Sequence, residues 1–377
     1  MDQQRAASRW SLGILTVLLA VPLSGCLAGE VGPAEEEETS EREASAALPR
    51  PLVPLWVNWN DLMRSPDWRA EVMAIPTAKL NGVMLSFNAP LDLLDPSRNT
   101  PQNIRPVVQL IQSRGLKVVA FVAMEIYTER FPAGALVQMR DANNQRFVKN
   151  EKHLASFWDP AFRTVMQTLI RDIKAAGPDY IIAGEHSDLT SEQHDFTAAS
   201  VAAFNKQTNS QLPATLGAAL AKALGSETLS RKWFTWKYRE YYEWLHSIKV
   251  QGLPALNGVQ KYRKPRPSGW LTSPPTFADA SFILIAQGFE GKTDEPAATV
   301  KDEIEMLREP GKINLSYLRY LENGELIADP ELLRGRATSL KRWTMSDRIL
   351  NGFVFYGANL WKKYQDYLPY APALAAY

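Results

Sequence analysis

Cysteine, histidine and net charge are all scarce in this 377-residue sequence. It contains one cysteine and four histidines, which excludes a disulfide framework within the chain and a structural zinc site built mainly on thiolates. Its 42 Lys and Arg residues nearly balance its 41 Asp and Glu residues, so it lacks the bulk positive charge that holds a nucleic acid. A nucleic-acid partner is therefore not expected. Since 45% of the side chains are hydrophobic and 22% are charged, the chain can support a packed core.

The first 25 residues have the features of a secretory signal. A basic start leads into an apolar run at residues 12–23, which is short for a membrane span and suits a cleaved signal. The run ends in LSGC at residues 23–26, which resembles the lipobox of bacterial lipoproteins. The resemblance implies that residues 1–25 are a lipoprotein signal peptide and that Cys26 becomes a lipidated, palmitate-bearing N-terminus. We therefore expect this anchor to hold the protein in the cell envelope, at the outer membrane or the cell surface.

Residues 26–51 are predicted to form a disordered tether that begins with the lipidated cysteine. The segment carries a glutamate run at residues 35–38 and further glutamates, with small residues and prolines between them. Such a composition cannot bury enough apolar surface to offset the chain entropy lost on folding, and like charges extend it. The sequence thus divides into a signal peptide (1–25), an acidic tether (26–51) and one folded domain (52–377).

From residue 52 onward, eight short apolar runs alternate with longer amphipathic segments, a pattern typical of β/α units around a parallel sheet. The predicted strands are 53–58, 82–88, 117–124, 180–184, 255–260, 281–287, 313–321 and 352–356. Eight strands favour a closed (β/α)8 TIM barrel. An open doubly wound sheet is the alternative, but WVNWN at residues 56–60 stands where a Rossmann fold has its glycine-rich phosphate turn. No organic cofactor is therefore expected.

The longest predicted connection, about residues 186–254, is a helical insertion after strand four. It contains helical patterns at residues 198–207 and 216–224, followed by a helix rich in Trp, Phe and Tyr. Aromatic residues at three- and four-residue spacing suit a buried helix face, so we expect this helix to pack against the barrel. Enlarged loops after barrel strands commonly build the active-site face.

Several segments resemble TIM-barrel glycoside hydrolases. RDANNQ (140–145), FWDPAFR (157–163) and GPDYIIAGE (177–185) resemble the region from strand three to strand four of these enzymes. DFTAASVAAF (195–204) and WFTWKYR (233–239) resemble the helical insertion of glycosidases and β-galactosidase-like barrels. The resemblance implies a sugar-binding cleft at the C-terminal ends of the strands. One departure is that related barrels often have Asn-Glu at the end of strand four, where this chain has Gly184 and Glu185.

Glycosidic cleavage usually needs two carboxyl groups, one to protonate the departing oxygen and one to attack the anomeric carbon or to activate water. Glu185 directly follows the fourth predicted strand and is the preferred proton donor. Glu322 follows strand seven, the position that supplies the nucleophile in similar retaining barrels, and Glu290, after strand six, is the alternative. Glu125, after strand three, is expected to bind or orient the substrate.

Sugars expose apolar C–H faces and hydroxyl edges, so their sites combine aromatic platforms with amides and carboxylates. Such side chains recur at the predicted C-terminal ends of the strands. The candidate substrate-binding residues are Asn58, Trp59, Asn60, Asn88, Glu125, His186, Asp188, Gln287, Tyr356, Asn359 and Trp361. Any one of them could instead be a packed aromatic or a loop amide. Their recurrence at the same predicted end of the strands indicates a sugar cleft more strongly than any single residue does.

A metal site is the less favoured interpretation of the loop after strand four. Glu185, His186, Asp188 and His194 gather carboxylates and imidazoles there. The sequence has no His-x-His after the first strand and no His-Glu-x-x-His helix. His186 and Asp188 are instead expected to line the sugar cleft.

The sequence therefore predicts a lipid-anchored, glycoside hydrolase-like barrel that cleaves an extracellular or envelope polysaccharide with paired carboxylates. The alternative is a non-catalytic carbohydrate-binding lipoprotein on the same barrel, because fold does not guarantee chemistry. A metal-dependent hydrolase ranks third.

Replacing Cys26 with Ser is expected to release the protein from membranes or leave it unprocessed, because acylation at this residue is the predicted anchor. Membrane fractionation with palmitate labelling measures the effect against the wild type. Unchanged fractionation with label still incorporated would contradict the lipobox assignment.

Overall fold

The computed structural model describes thirteen stretches of the chain. They are residues 51–75, 77, 80–87, 100–149, 152–184, 195–250, 253–254, 258–261, 281–285, 297–319, 321–322, 325–326 and 330–356. The predicted signal peptide, Cys26 and nearly all of the predicted tether lie outside the described residues, so these remain predictions.

Eight parallel strands pair in chain order and close into a barrel, with β1 bonded to both β2 and β8. The strands are β1 (Pro54–Asn58), β2 (Gly82–Phe87), β3 (Lys117–Val122), β4 (Tyr180–Ala183), β5 (Gly258–Lys261), β6 (Phe282–Ile285), β7 (Ile313–Arg319) and β8 (Gly352–Tyr356). The prediction of a (β/α)8 TIM barrel is confirmed, and so is each of the eight predicted strands. The weakly patterned fifth strand begins later than predicted.

Helices connect the strands where the chain is described. They are α1 (Trp59–Arg64), α2 (Trp68–Ala74), α3 (Pro101–Ser113), α4 (Pro160–Ala176), α5 (Ala198–Thr208), α6 (Ala218–Leu224), α7 (Glu227–Ser247), α8 (Ala297–Leu307) and α9 (Pro330–Met345). Helices α5 to α7 form the predicted insertion between β4 and β5. Within the described stretches, none of the helices is both long enough and apolar enough to cross a membrane.

Helix α4 shows how local sequence sets the element boundaries. The Asp159 carboxylate caps its N-terminus by accepting a hydrogen bond from the Ala161 N–H at 2.9 Å, and Pro160 occupies the first turn, where a missing N–H costs nothing. The helix ends at Gly177, whose φ of 86° is a left-handed conformation that suits glycine. Its apolar residues recur at three- and four-residue intervals and are buried against the barrel.

Aromatic side chains from alternate strands fill the inside of the barrel. Trp56 of β1 contacts Phe121 of β3 with 4.9 Å between ring centroids, and Tyr317 of β7 with 6.1 Å. At the N-terminal end, Tyr180 of β4 contacts Phe282 of β6 at 5.4 Å. Each pair skips the strand between its members, as side chains do where they converge inside a barrel. Because these rings occupy the interior, a ligand site is expected on a face of the barrel.

Gly352 allows the barrel to close at the seam between β8 and β1. The Leu52 N–H donates to the Asn351 carbonyl at 2.8 Å, and the Phe353 N–H donates to the Leu52 carbonyl at 3.1 Å. Gly352 lies between these bonds with a φ of 151°, and a Cβ there would collide with the Leu52 backbone. Only glycine fits this close approach of two chain segments.

The aromatic helix α7 packs on two sides. On one side, Trp233 and Trp236 enter the insertion's own core, where Phe196 stacks on Trp233 with 4.3 Å between ring centroids. On the other side, Tyr238 and Tyr241 belong to the barrel core. The expectation that the aromatic residues pack this helix against the barrel is confirmed, and α7 also joins the insertion to it.

The connection from β3 to α4 contains a small sheet that the sequence pattern does not predict. Val148–Lys149 pairs antiparallel with Lys152–His153, and an isolated bridge joins Tyr127 to Leu154. Tyr127, Met139 and Leu154 are buried together. Strands of two residues are too short for alternating hydrophobicity to reveal them.

Asp179 ties together the N-terminal ends of β3 and β4. Its carboxylate accepts hydrogen bonds from the Lys117 ammonium at 2.7 Å, the Val118 N–H at 2.8 Å and the Gln112 amide at 3.2 Å. Burial acts to raise the pKa of Asp179, but these hydrogen bonds and the charge of Lys117 outweigh it, so the pKa lies below its usual value. Because this end of a TIM barrel is concerned with stability rather than catalysis, Asp179 is assigned a structural role.

Replacing Asp179 with Asn is expected to lower the free energy of unfolding at pH 7 by about 1.5–3 kcal/mol, the range for hydrogen bonds to a charged group. A depressed pKa stabilises the fold above the unfolded-state pKa of about 3.9, and this contribution disappears as the pH falls through the lower folded-state value. The difference between variant and wild type should therefore shrink below about pH 4. Urea denaturation from pH 2 to pH 8 measures it.

The matched control is Asp172→Asn on α4, which removes a carboxylate 3.5 Å from the Arg171 guanidinium at the surface. It should cost about 0–1 kcal/mol. Equal losses in the two variants would contradict the assignment of Asp179.

Candidate active site at the C-terminal face of the barrel

The C-terminal ends of β1, β3 and β4 carry candidate residues or precede one. Asn58, Trp59 and Asn60 lie where β1 ends and α1 begins. Glu125 lies shortly after β3, and Gly184 follows β4 directly. Because β1, β3 and β4 run parallel in one barrel, their C-terminal ends lie at the same face.

The end of β1 is organised by Asn58. Its Oδ1 caps α1 by accepting hydrogen bonds from the Asn60 N–H at 2.9 Å and the Asp61 N–H at 3.2 Å. Its Nδ2 donates no hydrogen bond to another described residue. The Trp59 ring lies in the core, fully buried and 5.2 Å from the Phe87 ring. Trp59 therefore packs in the barrel core, and its predicted role in substrate binding remains a prediction.

Ser86 is a polar residue at this end of the barrel that sequence analysis missed. It stands opposite Asn58 in the register of β1 and β2, and it is fully buried. Its Oγ has no hydrogen-bond partner among the described residues. The sequence signal that could have identified Ser86 is a single hydroxyl residue within an otherwise apolar strand. Such a residue is expected to be buried, and a buried polar group usually has a hydrogen-bond partner.

Glu125 is a buried carboxylic acid at the C-terminal face. Only 7% of the residue is exposed. It follows β3, the strand that pairs directly with β4, where Val122 stands opposite Ala183. Acidic side chains are seldom buried this far without polar partners. This position agrees with the predicted role in binding or orientation, which remains a prediction.

The end of β4 is shaped by the Phe121 ring. The Gly184 N–H continues the barrel ladder by donating to the Val122 carbonyl at 2.7 Å. A Cβ at residue 184 would meet the tip of the Phe121 ring and would lie 2.9 Å from its Cε1. Phe121 in turn rests on Trp56. This crowding accounts for glycine at residue 184, because a larger side chain has no space here.

Helix α7 contacts the same peptide. The buried Tyr241 hydroxyl donates a hydrogen bond of 2.7 Å to the Gly184 carbonyl. That carbonyl belongs to the peptide bond that leads into Glu185. Residue spacing within an aromatic helix gives no signal for such a contact, because every buried tyrosine on it looks alike in sequence.

The remaining candidates fall mostly outside the described residues. These are Glu185, His186, Asp188, Glu290, Asn88, Gln287, Asn359 and Trp361. The backbone of Glu322 lies in a two-residue strand, Leu321–Glu322, that pairs with Glu325–Leu326 beyond the end of β7. Tyr356 is the last residue of β8, opposite Arg319 of β7. The roles of all these residues remain predictions.

An aromatic and cationic cluster joins α4 to α7. The Trp158 and Trp236 rings are stacked with 4.7 Å between centroids and 1° between planes. The Arg163 guanidinium lies 4.3 Å from the centroid of the Phe157 ring, and its Nε–H donates to the Phe157 carbonyl at 3.0 Å. Burial lowers the pKa of Arg163, while the negative charges of Glu240 and Asp195 act in the opposite direction. The cluster braces the insertion against the helix that follows β3.

Glu129 and His153 form a pair within the β3–α4 connection. The Glu129 carboxylate lies 2.6 Å from Nδ1 of His153 and accepts the His153 backbone N–H at 2.9 Å. Burial acts to raise the pKa of Glu129, but the hydrogen bonds from the backbone and from His153 outweigh it, so the pKa lies below its usual value. The pair fastens the small hairpin to the turn after β3.

Across the described parts of the chain, no group of three or more His, Cys, Asp and Glu side chains is placed to hold a metal ion. The metal hypothesis concerns His186, Asp188 and His194, which lie outside those parts. It therefore remains an untested alternative.

The chain matches no protein-family profile and no curated protein. Among solved structures, the glycoside hydrolase domain of PelA from Pseudomonas aeruginosa is similar over 81% of this chain and 95% of its own, with 11% identity and a TM-score of 0.38. A GH5-4 broad-specificity endoglucanase from an uncultured bacterium is similar over 82% and 84%, with 11% identity and a TM-score of 0.42. A GH36 α-galactosidase from Geobacillus stearothermophilus is similar over 87% of this chain and 41% of its own, with 11% identity and a TM-score of 0.47. These likenesses concern the fold alone.

Replacing Gly184 with Ala is expected to lower the free energy of unfolding by about 1–3 kcal/mol, because the added methyl group forces the Phe121 ring to shift within a packed interior. In a Phe121→Leu background the same change should cost at least about 0.5 kcal/mol less, since the opposing ring is gone. Urea denaturation of the four proteins measures this coupling.

Gly335→Ala on α9 is the matched control. A Cβ there meets nothing within 4 Å, so the change should be neutral or slightly stabilising within the helix. An equal cost of Gly184→Ala in both backgrounds would contradict the account of Phe121.

Proposed function

We propose that the protein is a lipid-anchored glycoside hydrolase that cleaves glycosidic bonds in an extracellular or envelope polysaccharide. The observation that carries the proposal is the end of β4. There Gly184 is hydrogen-bonded into the barrel ladder and to Tyr241. The next residue in the chain is Glu185, so a carboxylic acid follows the strand at the face where TIM-barrel enzymes carry out catalysis.

In this proposal Glu185 is the general acid that protonates the departing glycosidic oxygen. Glu322 is the second carboxylate, and Glu290 is its alternative. A separation of about 5–5.5 Å between the two carboxyl groups would suit a nucleophile and retention, whereas about 6.5–9.5 Å would leave room for an attacking water and give inversion. Glu125, buried beside the end of β4, orients the substrate or the acid.

Substrate binding in this proposal relies on amides and on the aromatic residues that follow β8. The Asn58 Nδ2 is the proposed donor to a sugar hydroxyl. Because Trp59 is buried in the core, it supports the end of β1 from beneath and does not stack on a sugar. Tyr356 and Trp361 are the proposed stacking platforms.

The anchor in this proposal keeps the enzyme beside its substrate. The lipid on Cys26 holds the chain in the envelope, and the acidic tether at residues 26–51 separates the barrel from the membrane surface. A tethered hydrolase acts on nearby polymers without being lost by diffusion.

The experiment is a screen of the purified full-length protein in detergent against envelope polysaccharides, with release of reducing ends as the measurement. The wild type should cleave at least one of them. Glu185→Gln should lower kcat by about 100-fold or more while preserving binding, with the smallest loss for substrates whose leaving groups need no protonation. Glu227→Gln, an exposed change in the first turn of α7, is the matched control and should retain full activity.

Three other outcomes would count against this function. Sugar binding without turnover would favour the non-catalytic carbohydrate-binding alternative. Turnover that is lost on chelation and restored by zinc or manganese would favour the metal-dependent alternative. Full turnover in the Glu185→Gln variant would remove Glu185 from the chemistry.

A further inference from the structure

We infer that Tyr241 is a positioning residue for Glu185, because its hydroxyl fixes the peptide bond that joins Gly184 to Glu185. The inference rests on the proposed function, in which Glu185 is the proton donor. It assigns to the insertion a role in the reaction: a side chain of helix α7 fixes the peptide that precedes Glu185.

The anchoring side chain is itself held firmly. Tyr241 is 1% exposed, and its ring contacts those of Phe157 at 5.3 Å, Tyr242 at 5.3 Å and Trp244 at 6.0 Å between centroids. A tyrosine surrounded by rings on this scale has few rotamers open to it. Its hydroxyl, 2.7 Å from the Gly184 carbonyl oxygen, is therefore a fixed point of attachment.

The Gly184 peptide needs such an attachment. The Phe121 ring excludes any side chain at residue 184, and a residue without a Cβ has the greatest backbone freedom of any amino acid. The barrel ladder fixes the N–H side, through the bond to the Val122 carbonyl. The Tyr241 hydroxyl fixes the carbonyl side, so the two bonds together restrict the freedom that the glycine introduces just before the acid.

The consequence for the reaction is one of geometry. A general acid has to lie within hydrogen-bond reach of the leaving oxygen, and a displacement of about 1 Å can cost about 100-fold in rate. Losing the Tyr241 hydroxyl should therefore lower kcat while leaving KM nearly unchanged. The loss in kcat should also vary with the substrate's leaving group as it does for Glu185→Gln. Both changes weaken proton transfer from residue 185 to the leaving oxygen.

The chain offers a close matched control in Tyr242. This residue is the next on α7, is also 1% exposed, and places its hydroxyl 3.0 Å from that of Tyr238. Tyr241→Phe and Tyr242→Phe each remove one buried hydroxyl from the same helix and keep the ring. Only the first removes the bond to Gly184.

The experiment compares the full-length wild type with Tyr241→Phe, Tyr242→Phe and Glu185→Gln. Amide hydrogen exchange, read by mass spectrometry on peptides that cover residues 180–190, reports on the Gly184 to Glu185 backbone. Steady-state kinetics on the polysaccharide that the wild type cleaves measures how well Glu185 acts as the general acid. Thermal unfolding controls for stability.

Tyr241→Phe is expected to speed exchange in the peptides around residues 184–186. It should also lower kcat by about tenfold and keep KM within about twofold of the wild-type value. The loss in kcat should be largest for substrates with poor leaving groups. Tyr242→Phe should change kcat by less than about twofold at a similar melting temperature.

Two results would overturn the inference: exchange around residues 184–186 that matches the wild type in Tyr241→Phe, or equal kcat losses in the two tyrosine variants. Failure of the proposed function is distinguishable from both. It appears as absent wild-type turnover or as full activity in Glu185→Gln, and the catalytic meaning of the contact then falls with it, even where exchange shows that the contact exists.

Discussion

The packing of the Phe121 ring inside the barrel is the constraint on which the candidate site depends. The ring rests on Trp56 and takes the space beside residue 184, so the end of β4 has to be glycine. Glycine brings backbone freedom to the residue that precedes Glu185. The hydrogen bond from Tyr241 on α7 then limits that freedom. The packing of Phe121 in the interior thus affects, through Gly184, the position of Glu185, the residue proposed to carry the chemistry.

Helix α7 links two hydrophobic cores of the described residues, that of the insertion and that of the barrel. Its tryptophans enter the core of the insertion, and its tyrosines enter that of the barrel. The stacked pair of Trp158 and Trp236 adds a second connection to α4. Rigid attachment of an insertion to the barrel is what a positioned active-site loop requires, since a site on a mobile support loses geometric precision.

The barrel could be predicted from sequence because most of its strands are short apolar runs and the longer helices show apolar residues at helical spacing, and both signals are local. The packing of Trp59 could not be predicted, because a tryptophan at a strand end is compatible both with a sugar platform and with core packing. Only its burial and its contact with Phe87 place it in the core. The same limit applies to Gly184, which is required by the Phe121 ring on the neighbouring strand, and to the hairpin at Val148–Lys149, which is too short to show a period. Features that depend on long-range contacts lie beyond pattern analysis.

The central claim is that residue 185 meets a glycosidic bond at the C-terminal face of the barrel. The most direct measurement is a crystal structure of the Glu185→Gln variant with a bound oligosaccharide from the polysaccharide that the wild type cleaves. The account predicts a sugar that spans the ends of β1, β3 and β4, with the residue 185 side chain about 2.6–3.2 Å from a glycosidic oxygen. A sugar bound elsewhere, or a residue 185 side chain directed away from it, would contradict the account.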